Sequence, residues 1–208
     1  NEGTGTVEFT GTADTDIENE TYYNLIFNGT GTFTSTGDST VSNVLTITAG
    51  TFSADNDTWY LTGSTTPFVI TGTFTPSTST ISYEGAAATN IIPTTYYNLT
   101  LNQAGTTFTS IGDMTVTNVL TINAGTFDGS SYIVHLTGSG TPFVVTATFT
   151  PATSTISYEG AGATNIAATG YYNLYINKAG GIFTAAGNTT VTNVLTINAG
   201  TFDGSSYI

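Results

Sequence analysis

Along this chain apolar residues alternate with Thr and Ser over short stretches, and Gly, Asn, Asp and Ser separate those stretches. That is the period-two signature of half-buried strands with turn residues between them. In Thr32-Phe33-Thr34, Thr40-Val41-Ser42 and Leu45-Thr46-Ile47-Thr48, the residues Phe33, Val41, Leu45 and Ile47 face one way and the hydroxyls the other. The next stretches give Phe52, then Trp59 and Leu61, then Phe68 and Ile70 as the inward set. After them come Phe74, Ile81 and Tyr83, and then Tyr97, Leu99 and Leu101. The same alternation turns Tyr96 and Asn98 outward, with Tyr22 and Tyr171 in equivalent places.

The pattern recurs at long range. Tyr22-Tyr23-Asn24-Leu25 returns as Tyr96-Tyr97-Asn98-Leu99 and as Tyr171-Tyr172-Asn173-Leu174, and Thr115–Ile133 recurs unchanged as Thr190–Ile208. Within this unit lies a shorter beat: Phe33, Phe52, Phe74, Phe108, Phe127, Phe149, Phe183 and Phe202 share one register. Their steps of 19, 22 and 34 residues predict three turns of a coil per 75-residue unit, with the Phe residues in one continuous core ladder. Self-similarity of this kind marks an array whose units bury their apolar faces against one another. The expected fold is all-β, a right-handed parallel β-helix with three strands per coil. Tandem immunoglobulin-like sandwiches are the alternative. The expected organisation is one continuous solenoid: 1–21 as the tail of a preceding repeat, 22–95 as repeat 1, 96–170 as repeat 2 and 171–208 as a partial repeat 3. A start at Asn1 and a stop in mid-unit at Ile208 read as a segment of a longer array.

Composition sharpens this picture. Thr accounts for 49 of 208 residues and Gly for 24, while Cys is absent, so no disulfide or thiolate metal site exists. The chain carries 14 acidic residues against one base, Lys178, for a net charge of −13. Nucleic-acid binding requires a basic stripe, and none is present. No apolar run approaches the roughly 20 residues of a membrane-spanning helix.

Candidate chemistry is sparse. Glycosidases need paired carboxylates facing one cleft, whereas the acids here recur singly at corners, as Asp38 and Asp113 or Asp128 and Asp203. A corner Asp is ordinarily a turn former. His135, the only histidine, points outward by alternation. Asp55 and Asp57 in one turn, and Asp14 and Asp16 on one side of the start, supply hard oxygen donors suited to Ca²⁺. Flat Thr rows suggest ice binding, but Ile182, Asp128 and Asp203 interrupt them. The outward Tyr22, Tyr96 and Tyr171, each beside an Asn, are the candidate contact residues for sugars or a neighbouring strand.

The motifs Tyr-Tyr-Asn-Leu-Thr-Leu-Asn, Thr-Val-Thr-Asn-Val-Leu-Thr-Ile-Asn-Ala-Gly-Thr-Phe and Ser-Thr-Ile-Ser-Tyr-Glu-Gly resemble the Thr/Gly-rich repeats of large secreted prokaryotic surface proteins, β-solenoid adhesins and extracellular filaments. The resemblance covers nearly the whole chain and carries over no catalytic residue. It implies a non-enzymatic structural protein outside the cell or on its surface, a stiff fibre segment whose partners are other copies of itself. The alternative is an adhesin or carbohydrate-binding stalk that engages glycans.

Overall fold

The computed structural model describes residues 3–204 and 207. Asn1, Glu2, Ser205, Ser206 and Ile208, at the ends of the first and last repeat segments, lie outside the described residues. The strands are β1 (Thr6–Phe9), β2 (Thr15–Ile17), β3 (Thr21–Ser35), β4 (Ser39–Ser53), β5 (Thr58–Leu61) and β6 (Phe68–Ile70). They continue as β7 (Thr73–Thr75), β8 (Thr80–Tyr83), β9 (Thr89–Ile91), β10 (Thr95–Ser110), β11 (Met114–Asp128) and β12 (Ile133–Leu136). The last are β13 (Phe143–Val145), β14 (Thr148–Thr150), β15 (Thr155–Tyr158), β16 (Ala163–Ile166), β17 (Gly170–Ala185) and β18 (Thr190–Asp203). Every pairing is parallel, and the whole is a β-solenoid of about ten turns. β5, β6 and β7 each stack on a different part of β4, so a winding has three faces, as the alternation predicts.

Like stacks on like. On the first face the ladder runs Tyr22↔Val41↔Leu61↔Tyr83↔Leu101↔Ile122↔Val145 without a break. The second face begins Phe9↔Phe27↔Ile47↔Ile70, and the third begins Thr15↔Phe33↔Phe52↔Phe74. Burial of these side chains drives the stacking: Phe27, Phe33, Ile47, Phe52, Trp59 and Leu61 are all fully buried. Rings fill the interior, with Phe27 stacked between Phe33 at 5.0 Å and Phe52 at 4.8 Å. Trp59 stands edge-on to Phe52 at 4.8 Å and donates its indole N–H to the Ser35 hydroxyl.

The winding count departs from expectation. Leu101 in repeat 2 is the counterpart of Phe27 in repeat 1, yet it lies on the file of Tyr22. One repeat is therefore three windings plus two faces, one face short of four windings, not three windings. The 34-residue step from Phe74 to Phe108 is longer than one turn, and Phe108 opens a new file above Thr89, itself bridged to Thr65. The Phe ladder is accordingly three separate files: Phe33–Phe52–Phe74, Phe108–Phe127–Phe149 and Phe183–Phe202. Each is turned by one face from the last. The outward Thr rows break at the same places, Thr32↔Thr51↔Thr73 being followed by Thr107↔Thr126↔Thr148 on another face.

Candidate functional site

At the corner after the first Tyr pair, a β-bulge shifts the register between Tyr22 and Asn24, Tyr96 and Asn98, and Tyr171 and Asn173. The extra residue inverts the in-out parity on one side of the corner. Tyr22, Tyr96 and Tyr171 therefore point inward, 8%, 0% and 0% exposed, and offer no contact surface. Their neighbours Tyr23, Tyr97 and Tyr172 are the half-exposed members of each pair, where alternation alone had placed Tyr97 inside.

Buried phenols need partners. Tyr96 donates to the Ile92 carbonyl at 3.0 Å and meets the Tyr83 hydroxyl at 3.1 Å. In the next repeat Tyr171 donates to the Ala167 carbonyl at 2.9 Å, and Tyr158, 2.9 Å from Tyr171, accepts the Ala167 N–H. Loss of solvent on burial pushes Tyr83, Tyr96 and Tyr171 above their ordinary value and Tyr158 up to about 12. A phenol held neutral in this way is a structural hydrogen-bond donor.

Beside each bulge an amide ladder climbs the corner. Asn43 Nδ2 donates to Asn24 Oδ1 at 2.7 Å, and Asn24 Nδ2 donates to the Thr6 hydroxyl. The same chain joins Asn118, Asn98 and Thr80, and again Asn193, Asn173 and Thr155. A second ladder runs from Asn123 through Asn102 to Glu84 Oε1, which also accepts the Ser82 hydroxyl. In repeat 2 the ladder's acceptor, Glu159, instead takes His135 Nδ1 and the Ser157 hydroxyl, each at 2.7 Å. His135 thus points outward as the alternation predicts, but with a partner one winding up the stack, just past β15.

The corner aspartates cap backbone. Asp38 Oδ1 accepts the Thr58 N–H, Asp113 Oδ1 the Ile133 N–H and Asp128 Oδ1 the Ser130 N–H, all between 2.7 and 2.8 Å. Of the Ca²⁺ candidates, Asp14 accepts the Thr32 N–H and Asp16 is exposed. Asp55 holds a left-handed turn, and Asp57 keeps one buried oxygen without a partner. Among the described residues no group of three or more His, Cys, Asp or Glu is placed to hold a metal ion. Among the described residues no helix is long and apolar enough to cross a membrane. The cavities worth naming are shallow: one of about 280 Å³ at Gly5–Val7 and Glu20–Tyr23, and one of about 240 Å³ between Phe68–Ile70 and Ile92–Pro93. What the molecule offers a partner is thus a repeating polar surface of Thr rows, Asn ladders and half-exposed Tyr. No family model matches the chain, and no curated protein or solved structure matches it.

Proposed function

We propose that this chain is a non-enzymatic structural element, a stiff segment of an extracellular fibre that lengthens by stacking or head-to-tail joining of copies. The observation that carries this reading is the unbroken first-face ladder from Tyr22 to Val145, seven windings sealed by parallel pairing around stacked side chains. A stack of that kind resists extension because each winding is held to the next by backbone bonds along the axis. With Lys178 as the only basic residue, the chain also gives a trypsin-like protease a single cleavage point. Negative-stain micrographs of the protein over a range of concentrations test the reading. Filaments of uniform width that lengthen with concentration support it, and globular particles at every concentration overturn it.

A second reading, a carbohydrate-binding stalk, draws on Tyr23, Tyr97 and Tyr172, half-exposed at successive corners beside the Asn ladders. An amphipathic ring next to fixed amides suits a sugar face. Glycan-array binding that disappears in Tyr97→Ala supports it; binding unchanged in that variant removes it.

A further inference from the structure

Once per repeat the stack is left partly unpaired. Among the described residues β6 and β7 pair only with β4 below them, and β13 and β14 only with β11. Across the first of these seams the ladder continues only on the first face, through β5, β8 and β10, helped by the single bridge Thr65↔Thr89. Across the second it continues only on the third face, through β12, β15 and β17, with the bridge Gly140↔Thr164.

Three independent features mark the same places. The inward side chains beneath the seams are incompletely covered: Ile70, Phe74, Val145 and Phe149 are partly buried, whereas Ile47, Phe52, Ile122 and Phe127 one winding earlier are fully buried. The cavity of about 240 Å³ lies in the first seam, between Phe68–Ile70 and Ile92–Pro93. All five prolines of the chain border the seams: Pro67 before β6, Pro76 after β7, Pro93 above them, and Pro142 and Pro151 flanking β13 and β14. Proline has no N–H to give a ladder and is tolerated at strand ends and free edges.

We propose that each seam is a compliant joint, hinged on its one continuous face, held by a single bridge on the second and open on the remaining one, so that the rod is a chain of stiff blocks. A strand edge with no partner above it gives up no backbone bonds when the gap widens, so opening there costs less than between any two fully laddered windings. Because a repeat ends one face short of four windings, successive hinges lie on different faces, and the rod yields in more than one direction. The joint follows from the pairing alone and does not depend on what the fibre is for.

The chain has no native cysteine, which makes spin labelling direct. Thr21→Cys/Thr100→Cys places two labels four ladder steps apart on the continuous face, by Thr21↔Thr40↔Tyr60↔Ser82↔Thr100. Thr32→Cys/Thr115→Cys places two labels across the same seam on an open face, by Thr32↔Thr51↔Thr73 below it and Thr95↔Thr115 above. All four hydroxyls lie outside the core, and unchanged melting of each labelled protein checks that the fold is kept. Double electron–electron resonance is expected to give the open-face pair a distance distribution about twofold broader than the continuous-face pair. Equal widths mean a uniformly stiff rod and overturn the proposal.

Discussion

Thr65 holds a left-handed backbone, φ 69°, at the place where the next repeat has Gly140, φ 76°. A β-branched residue is strained there and glycine is not. Thr65→Gly is expected to raise stability by about 1 kcal/mol, read as a higher denaturation midpoint; a lower midpoint contradicts the strain argument. Phe127 is fully buried between stacked windings, and Phe127→Ala is expected to cost about 3–5 kcal/mol. Phe149, under the second seam, should lose less by the same change. The buried tyrosines set the alkaline limit. Unfolded phenols ionise near 10, while the fold keeps Tyr158 neutral up to about 12. The unfolded chain sheds its protons first, so the contribution is complete below pH 10 and is lost as pH rises from 10 towards 12. Melting curves across that window should fall steeply, and Tyr158→Phe should flatten the fall. Alternation placed Phe33, Trp59, Leu61 and Tyr83 correctly in the core because each lies inside an uninterrupted strand. It misplaced Tyr96 because parity was counted through a bulge, which inserts one residue without altering the look of the pattern.

At the scale of the element, the corners decide the register. Gly63 and Gly138 follow the Asn ladders one winding on, and a Cβ at either would collide with the carbonyl of Asn43 or Asn118 beneath it. Gly138→Ala should therefore separate β11 from β12 locally, seen as faster amide exchange in both strands; protection equal to wild type contradicts this. Asp38 and Asp113 were legible as turn formers, and they cap the N–H that opens the next strand. The His135–Glu159 contact was not legible, because the partners sit 24 residues apart on strands whose pairing depends on the winding length.

At the scale of the molecule, the sequence gives the parallel coil and its three faces through the repeat of like residues at like spacing. The number of windings per repeat was not readable from the Phe beat. The 34-residue step contains no Phe in register, and Thr89 silently occupies that place before Phe108. Three windings plus two faces per repeat is the central claim, since it divides the Phe files, breaks the Thr rows and sets each seam on a new face. Disulfide formation between paired cysteines tests it directly, because strands one winding apart lie about 4.8 Å from each other, within bridging range. Under oxidation Ser82→Cys/Thr100→Cys should close a disulfide, those residues being ladder partners, while Thr73→Cys/Thr107→Cys should stay reduced. A bridge in the second pair and none in the first would make the 34-residue step a single winding and contradict the account.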